Sequence, residues 1–459
     1  MNGEALYARL PASAQHVVCS GYGYLLNRRR YSGEYWPLEK RAFSREFWND
    51  SRLHDFASRR LRTMVQNAGR TVPFYRRLFK QIGADPRDIR DVRDLSALPI
   101  LTKATVQQHL TEFRSDLAPG MQCSTVHTSG TTGAGLIFPM TLEAEREQWA
   151  VWWRYRSRFG IDRKTWYAHF YGKTIVPQSQ SEPPFWRVNW PGRQILFSAY
   201  HMSQRNLGLY IDELNRRQPP WIQGYPSILA LLATYITENR ARLTYRPRVV
   251  TTGAETLLPH QKRLIEMAFE TSCRQHYGLT EGVANISECP EGKLHVDEDY
   301  ALVEFIPIGP YRYRIVGTGF TNFAFPLIRY DSGDVAELPE LAVTCRCGRA
   351  GRVVKSIDGR IEDYVVTADG RKIGRLDHIF KDMINIKEAQ VAQDRVDAVV
   401  FRIVRGARYS ERDEHLLLQE ARLRLGSAID IQLAYVESLA RTETHKLRFV
   451  VSTLPQARV

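Results

Sequence analysis

Cysteine is scarce in this sequence, and that scarcity excludes one class of fold. Six cysteines occur among 459 residues, too few for a domain held together mainly by disulfides. Long apolar runs are also missing, because no window holds the roughly 18 consecutive apolar residues of a membrane-spanning helix. The first residues show neither the basic lead nor the apolar stretch of a secretory signal. We therefore expect a cytoplasmic protein without a transmembrane segment.

Acidic residues are outnumbered by basic ones. The chain has 64 Lys and Arg against 50 Asp and Glu, a formal net charge of +14. Nucleic acid or an anionic membrane surface could be the partner of such a chain. The basic residues are scattered in short groups such as Arg28–Arg30, however, without a basic tail or a nucleic-acid-binding motif. An enzyme with anionic substrates explains the charge better, and we expect no nucleic-acid partner.

The spacing of apolar residues changes along the chain, which predicts more than one domain. Up to about residue 115 the spacing is helical, as in Leu53, Leu61 and Met64. From about residue 125 to 354, short strands alternate with helices, which predicts an α/β core. Within that region, Ala301–Phe305 and Tyr311–Val316 alternate with period two and predict a β-rich subdomain.

A third pattern begins near residue 358. Strands are predicted over Ile386–Ala392, Ala398–Val404 and Ile431–Val436, and an amphipathic helix over Glu411–Leu425. The predicted fold is therefore α/β overall. It comprises a large N-terminal domain over residues 1–357 and a small α+β domain over residues 358–459.

One loop combines small hydroxyl side chains with glycines. Hydroxyl groups donate to anionic oxygens, and glycines let backbone N–H groups converge on a phosphate. The Gly-Lys-Ser/Thr ending of the P-loop is missing. The loop is thus another kind of phosphate-binding loop or a solvated connection. Its residues are Thr128, Ser129, Gly130, Thr131, Thr132 and Gly133.

Further motifs follow this loop in a fixed order. They are Gly253-Ala254-Glu255, Tyr277-Gly278-Leu279-Thr280-Glu281, Arg329-Tyr330-Asp331-Ser332-Gly333-Asp334, Gly359-Arg360-Ile361-Glu362-Asp363, and Lys446 between Thr444 and Arg448. Each alone is weakly specific. Together they resemble the adenylate-forming superfamily of acyl-CoA ligases, luciferase and the adenylation domains of peptide synthetases. Within it the chain is similar to the phenylacetate-CoA ligase-like branch, including adenylating proteins associated with polysaccharide gene clusters.

The resemblance implies how ATP is bound. The loop from Thr128 to Gly133 would hold the β- and γ-phosphates. Asp334 would accept hydrogen bonds from both ribose hydroxyls, since a carboxylate has lone pairs for two donors. The adenine pocket would be lined by Gly253, Ala254, Glu255, Tyr277 and Gly278.

The resemblance also implies the catalytic groups. Thr280 would contact the α-phosphate, and Glu281 would bind Mg²⁺. Arg360 would contact the phosphate or ribose from the domain junction. Lys446 would stabilise the charge on the acyl carboxylate, and Glu362 would be the hinge of a mobile C-terminal domain.

The implied reaction is the formation of an acyl-adenylate and pyrophosphate from a carboxylic acid and ATP. The acyl group would then pass to CoA, or to an amine or hydroxyl acceptor. The chain departs from the family pattern at Glu362, at His445 before Lys446, and at 367–371, where a hairpin turn replaces a glycine-rich loop. These departures put CoA as acceptor in doubt. They also leave open a nucleotide-binding homologue without turnover.

Four side chains form a candidate metal set, Cys289, His295, Cys345 and Cys347. Three sulfurs and one nitrogen suit structural zinc, whereas the Cys-x-Cys spacing is tight for zinc and also fits unremarkable surface residues. The phenylacetate-CoA ligase-like branch has similar cysteines in the same order, which favours zinc.

The acyl pocket is expected to draw on 149–172 and 221–225. Aromatic residues there could line it, though most are expected in the core. No residue in these segments identifies the acid, and the sequence predicts no oligomeric state.

Overall fold

Helices and strands alternate through most of the chain. The computed structural model describes residues 3–128, 136–171, 175–177, 179–202, 205–255, 257, 259–360, 364–368, 372–374, 376, 379, 386–405, 409–426, 428–437, 439 and 450–454. The described helices are α1 (Gly3–Arg9), α2 (Ala12–Arg30), α3 (Tyr35–Ser44), α4 (Asp50–Thr71), α5 (Pro73–Ile82), α6 (Lys103–Gln108), α7 (Leu142–Ser157), α8 (Leu207–Arg217), α9 (Pro226–Glu238), α10 (Pro259–Phe269) and α11 (Glu411–Leu425).

The strands form five sheets. The described strands are β1 (Cys123–His127), β2 (Ile137–Thr141), β3 (Tyr167–Tyr171), β4 (Trp186–Asn189), β5 (Gln194–Ser198), β6 (Trp221–Gly224), β7 (Val249–Gly253), β8 (Cys273–Gly278), β9 (Asn285–Glu288), β10 (Leu294–Val296), β11 (Ala301–Gly309), β12 (Arg312–Gly319), β13 (Tyr330–Glu337), β14 (Val353–Val354), β15 (Ser356–Arg360), β16 (Tyr364–Val366), β17 (Lys372–Gly374), β18 (Ile386–Arg395), β19 (Ala398–Arg405), β20 (Asp430–Tyr435) and β21 (Val450–Ser452).

The largest sheet has nine strands in the order β14-β10-β9-β8-β7-β6-β3-β5-β4. Its central strands β5, β3, β6, β7 and β8 are parallel. Residues Val249–Gly253 of β7 are all buried, as expected for a strand covered on both faces. Because the five strands run the same way, their C-terminal ends meet at one edge, where open α/β sheets bind ligands.

Helices cover both faces of this sheet. Phe170 of β3 belongs to a core that includes Leu214, Leu229 and Ile265 from α8, α9 and α10. Tyr167, three residues earlier on the same strand, packs on the opposite face with residues of α3 and α7. Side chains of one strand therefore separate by parity, as the pleat requires. Helix α7 lies over the face that carries Tyr167.

An antiparallel sheet follows in the order β11-β12-β13-β15. Val303 and Ile315 of this sheet share a core with Ile286 and Val296 of β9 and β10. Strand β13 contains a bulge, because Val335 pairs with Arg314 while Asp331 pairs with Val316. Three residues, 332–334, thus stand opposite the single residue 315.

The chain separates into two compact units, Met1–His127 with Ile137–Gly359 and Thr128–Leu136 with Arg360–Val459. In the second unit, β20-β19-β18-β21 form one sheet and β16-β17 form a hairpin. Helix α11 begins with a capping box of Ser410 and Asp413 and buries Leu417, Ala421 and Leu425. The functional roles predicted for 1–357 and 358–459 stay predictions.

The predicted α/β fold is confirmed, including the amphipathic helix over Glu411–Leu425. Some predicted bounds differ by a few residues. The strand predicted over Ile386–Ala392 extends to Arg395, and the one predicted over Ile431–Val436 runs from Asp430 to Tyr435. Among the described residues, no helix combines the length and the apolar composition needed to cross a bilayer.

Candidate functional site

Predicted site residues cluster at the C-terminal edge of the parallel strands. Gly253 ends β7 and Gly278 ends β8. A Cβ on Gly253 would lie 2.9 Å from the carbonyl oxygen of His276, closer than real Cβ contacts allow. Glycine is therefore needed where β7 and β8 end side by side.

The residue after β7 has an unusual backbone. Ala254 adopts φ of +65°, a left-handed conformation that costs a non-glycine residue about 1–2 kcal/mol. Such conformations persist where the surrounding structure holds them, often at binding sites. The turn carries Glu255 to the same edge of the sheet. Gly253, Ala254 and Glu255 thus lie where the parallel strands end, and their role at the adenine stays a prediction.

Two motifs that are far apart in the sequence meet at this edge. The Tyr277 hydroxyl at the end of β8 donates a hydrogen bond to Asp334 Oδ2 on β13, 2.8 Å away. Burial raises the pKa of Tyr277 well above its usual value, and the negative charges of Asp334 and Glu281 raise it further. Tyr277 therefore stays protonated and acts as the donor. Glu281 is close enough to act electrostatically on the same hydroxyl.

The bulge in β13 sets the position of Asp334. Gly333 has φ of +76°, which glycine adopts without strain. The Ser332 hydroxyl accepts a hydrogen bond from the Asp334 amide at 3.1 Å and donates one to the Ile315 carbonyl at 2.9 Å. A bulge commonly redirects a side chain beside a functional site, and here the redirected side chain is Asp334.

Thr280 and Glu281 follow β8 in a turn. The Gly282 amide closes the turn on the Leu279 carbonyl at 3.1 Å. Gln148 of α7 donates from Nε2 to the same carbonyl at 3.1 Å. The helix over the sheet thus fixes the turn that carries Thr280 and Glu281.

The hydroxyl-rich loop is described only at its start. The Thr128 amide donates to the Leu136 carbonyl at 2.9 Å, and Thr128 Oγ1 accepts from the Leu136 amide at 2.8 Å. Thr128 therefore closes the base of the loop. Ser129, Gly130, Thr131, Thr132 and Gly133 lie outside the described residues, as do Glu362 and Lys446. Arg360 ends β15. The roles of all of these residues stay predictions.

The aromatic residues of β3, which belong to the predicted acyl-pocket segment, point to opposite faces of the sheet. His169 and Tyr171 lie on the α7 face of β3 with ring centroids 4.6 Å apart and keep partial exposure. Gln223 is the neighbour of His169 on β6 and is also half-buried. Phe170, which was expected to be able to line the pocket, is fully buried on the other face.

His276 of β8 also faces α7. Its ring stacks on Tyr155 with centroids 5.1 Å apart, and Nε2 lies 2.9 Å from Asn285 Oδ1. Burial lowers the pKa of His276 to about 4. The ring is therefore neutral at pH 7, and its one N–H, on Nε2, donates to Asn285 Oδ1.

Sequence reasoning missed Arg156 of α7. Its guanidinium carbon lies 4.7 Å from the ring centroid of Trp153, 5.1 Å from that of Trp221 and 5.4 Å from that of Trp149. A signal was present, because positions 149, 153 and 156 share one helix face. An arginine on an aromatic, inward face is unusual and could have been singled out.

The candidate metal set comes together in space. One donor atom from each of Cys289, His295, Cys345 and Cys347 lies within 4.8 Å of the others. Cys289 Sγ and Cys345 Sγ are 3.7 Å apart, and Cys347 Sγ and His295 Nε2 are 3.5 Å apart.

The Cys289–Cys345 and Cys347–His295 separations match those of a tetrahedral zinc site. With bonds of about 2.3 Å to sulfur and about 2.0 Å to nitrogen, two sulfurs lie about 3.8 Å apart and a sulfur and a nitrogen about 3.5 Å apart. Cys289, Cys345 and Cys347 are free cysteines. Three sulfurs and one imidazole nitrogen are a common donor set for zinc. The arrangement of the four donors in space therefore favours zinc, although the sequence spacing of Cys345 and Cys347 is short for a zinc site.

The loop with Cys345 and Cys347 is joined to a buried ionic network. Arg349 donates to Asp297 at 2.7 Å, and Arg154 of α7 bonds both Asp297 and Asp299 at 2.8–2.9 Å. Arg45 bonds Asp299 at 2.7 Å. The network ties the cysteine loop to the helix that covers the candidate site.

Comparisons with known proteins agree with this architecture. Residues 365–453 match the family model of the CapK C-terminal domain. Protein CapK of Staphylococcus aureus is 26% identical over 464 residues, which cover 98% of this chain and 99% of that protein. Phenylacetate-coenzyme A ligase of Thermus thermophilus is 25% identical, over 69% of this chain and 72% of that enzyme.

A solved structure shows the same fold. The crystal structure of 2-hydroxyisobutyryl-CoA ligase, in complex with 2-HIB-AMP and CoA, superposes with a TM-score of 0.59 at 19% identity. The match covers 89% of this chain and 91% of that one. The resemblance predicted from the motifs is confirmed: the chain is a homologue of protein CapK and of the phenylacetate-CoA ligases, and it has the fold of the adenylate-forming superfamily.

Proposed function

We propose that this protein is an AMP-forming ligase that activates a carboxylic acid with ATP. The observation that carries the proposal is the hydrogen bond between Tyr277 and Asp334, with Glu281 beside it, at the C-terminal edge of the parallel strands. Relatives named as phenylacetate-CoA ligases support it. In the reaction a carboxylate oxygen bonds to the α-phosphorus of ATP, the bond to the β-phosphate oxygen breaks, and pyrophosphate leaves.

The described residues have distinct tasks in this proposal. Asp334, oriented by Tyr277, accepts the ribose hydroxyls, and the turn from Gly253 to Glu255 lines the adenine. Glu281 would hold Mg²⁺, which supplies charge neutralisation when bound. Positioning and fixed charge are the main sources of rate in such a site.

Further residues, all but Arg360 outside the described part, complete the proposal. The loop from Ser129 to Gly133 would hold the outer phosphates, and Lys446 would stabilise the reacting carboxylate. Arg360 would contact the phosphate or ribose, and Glu362 would act as the hinge. The large domain would bind ATP and the acid, and the C-terminal domain would close on them.

The acyl acceptor has two candidates. CoA is supported by the relatives named as CoA ligases. An amine or hydroxyl acceptor is favoured by the hairpin of β16 and β17, since this hairpin occupies the place of the glycine-rich loop expected of CoA-dependent relatives. CoA-dependent formation of an acyl thioester separates the two, since hydroxylamine traps the acyl-adenylate whichever acceptor the enzyme uses.

The test is acid-dependent pyrophosphate release with ATP, Mg²⁺ and a panel of carboxylic acids, followed by hydroxamate formation with hydroxylamine. Glu281→Gln and Asp334→Asn are expected to lower kcat/KM about a hundredfold, the usual effect of removing one fixed group from such a site. Glu340→Gln, at an exposed position, is the matched control. ATP binding without pyrophosphate release from any acid would instead identify a non-catalytic nucleotide-binding homologue.

We also propose structural zinc at Cys289, His295, Cys345 and Cys347. Four protein donors fill a tetrahedral zinc site, so the metal would stabilise the fold without binding substrate. The 3.7 Å and 3.5 Å donor separations support this assignment.

A further inference from the structure

Arg156 differs from the other buried arginines. Six arginines are buried among the described residues, and five of them bond a carboxylate or an amide oxygen: Arg45, Arg154, Arg187, Arg329 and Arg349. Arg156 is 7% exposed, yet no described residue forms a hydrogen bond or ion pair with its guanidinium. A guanidinium that meets no protein counter-charge can pair with an anionic ligand through its in-plane donors, so an anionic group is expected to bind there.

Aromatic rings hold the guanidinium in place. Trp149, Trp153 and Trp221 all lie within cation–π distance of Arg156. Trp221 itself stacks on Tyr167 with centroids 4.1 Å apart. These contacts stabilise the positive charge without using an N–H donor in a hydrogen bond to an oxygen acceptor.

The guanidinium lies beneath α7 on the side of the candidate site. Trp221 and Tyr167 begin β6 and β3, and Tyr171 ends β3 at the candidate site. Between them, His169 and Gln223 are half-buried neighbours. Burial raises the pKa of Tyr171 and the charge of Arg156 opposes that rise. Arg156 therefore acts electrostatically on a residue at the edge where the reaction is proposed.

We propose that Arg156 binds a second carboxylate of the acid, so that the substrate class is a dicarboxylic acid. This inference rests on the proposed function. One carboxylate lies at the strand edge beside ATP and reacts, while the other pairs with Arg156 at the deep end of the α7 face. A planar carboxylate matches the two in-plane donors of a guanidinium.

The experiment compares acids of matched length, hexanoate with adipate and benzoate with terephthalate, in the pyrophosphate assay. The wild type is expected to prefer the diacid. Arg156→Met is expected to lower the diacid-to-monoacid ratio of kcat/KM about a hundredfold, as for removal of one partner of a buried charge pair. Arg156→Lys, which keeps the charge but loses the fork, is expected to fall between them.

A binding measurement makes the test independent of turnover. Calorimetric titration of each diacid into the wild type and Arg156→Met is expected to show affinity that the variant loses, with unchanged circular dichroism as the folding control. A wild type that activates monoacids better, an equal loss for all acids, or no diacid affinity would each overturn the inference. Activity with monoacids alone would leave the proposed function standing.

Helix α2 carries a second, independent feature: its polar side chains face inward. His16 Nδ1 accepts from the Val188 amide at 2.9 Å, and the Ser20 hydroxyl donates to the Val188 carbonyl at 3.2 Å. Asn27 donates to the Pro191 carbonyl at 2.7 Å. These bonds satisfy the outer edge of β4, the last strand of the sheet.

The outward side of α2 is apolar. Val17 is 71% exposed, Tyr22 60% and Leu25 62%, and these side chains lie on one helix face. Val18, Tyr24 and Trp190, which follows β4 beside the helix, are exposed as well. Single exposed apolar residues are ordinary, but a continuous stripe indicates an interaction surface.

The charge around the stripe is positive. Residues 5–33 contain four arginines and no Asp or Glu. Arg29 and Arg30 pair with Glu145, whereas Arg9 and Arg28 are exposed. Exposed apolar side chains, tyrosines and arginines on the same side of a helix can contact the interface of an anionic membrane.

We infer that α2 binds the surface of an anionic phospholipid bilayer. The stripe of Val17, Val18, Tyr22 and Leu25 would enter the headgroup boundary, and Arg28 would contact phosphate. The sheet edge stays paired with the inward side of the helix, so binding requires no unfolding.

The test is sedimentation with vesicles of phosphatidylcholine alone or mixed with phosphatidylglycerol. The wild type is expected to bind the mixed vesicles. The double variant Val17→Glu/Leu25→Glu is expected to have a partition coefficient at least about tenfold lower, since it lacks two aliphatic side chains that would be buried in the bilayer. Met267→Glu, at an exposed apolar site on α10, is the matched control. No binding to mixed vesicles would overturn the inference, as would dimerisation in solution that the double variant abolishes.

Discussion

At the scale of single residues, the Tyr277 hydroxyl is expected to control how well ATP binds. Tyr277→Phe keeps the ring and removes the donor to Asp334. Hydrogen bonds to charged groups contribute about 1.5–3 kcal/mol, so the KM for ATP is expected to rise about tenfold or more in the pyrophosphate assay. Without this donor, the carboxylate of Asp334 would be held less firmly in the orientation that accepts the ribose hydroxyls.

The control for this substitution is Tyr311→Phe, which removes an exposed hydroxyl from the turn between β11 and β12. It is expected to leave the KM for ATP unchanged. If both variants behave like the wild type, Tyr277 does not orient Asp334 for binding.

At the residue scale, the motifs identified side chains that meet in the structure, and the roles assigned to these side chains stay predictions. The motifs named Tyr277 and Asp334, which the structure brings within 2.8 Å. They did not name Arg156, because its role depends on Trp221 from a distant strand meeting Trp149 and Trp153. Long-range packing of this kind leaves no local signal beyond the shared helix face.

At the scale of elements, the bulge in β13 is expected to be sensitive to the loss of glycine. Gly333→Ala places a Cβ at φ of +76°, which costs about 1–2 kcal/mol. Urea unfolding is expected to report this loss, and the KM for ATP to rise, because the strain is relieved by moving Asp334.

Gly309→Ala in β11 is the matched control, since a Cβ there meets no atom within 4 Å. Its unfolding free energy is expected to stay within about 0.5 kcal/mol of the wild type. Equal behaviour of the two variants would show that the bulge tolerates a side chain.

The cysteine loop provides a second prediction at this scale. The purified protein is expected to contain about one zinc per chain, measured by elemental analysis. Cys347→Ser is expected to lower the zinc content and the thermal unfolding midpoint, whereas Cys123→Ser, at an exposed free cysteine, should change neither. Zinc content unaffected by Cys347→Ser would refute the assignment.

Elements were predictable where periodicity was strong and local. Helix α11 was predicted with its observed bounds, because its apolar face repeats within one continuous segment. Strand β14, with two residues, and the bulge in β13 were not predicted, since both depend on pairing with partners distant in sequence.

At the scale of the whole molecule, the buried network around Asp299 is expected to set stability in acid. Burial alone would raise the pKa of Asp299, but Arg154 and Arg45 lower it from 3.8 to about 2 against the opposing charge of Asp297. A carboxyl with a lowered folded-state pKa stabilises the fold above its unfolded pKa. That contribution, about 2 kcal/mol, is lost as pH falls from about 4 to about 2.

Urea unfolding at several pH values measures this dependence. Asp299→Asn is expected to destabilise the protein at pH 7 and to flatten the fall in stability between pH 4 and 2. Asp85→Asn is the matched control, because the pKa of Asp85 is also lowered to about 2 by Arg87 but its pair is solvent-exposed and screened. The two variants are expected to differ because Asp299, which follows β10, bonds both Arg154 of α7 and Arg45 after α3. One carboxylate thus connects three parts of the large unit. An unchanged acid profile in Asp299→Asn would show that the arginines find other partners.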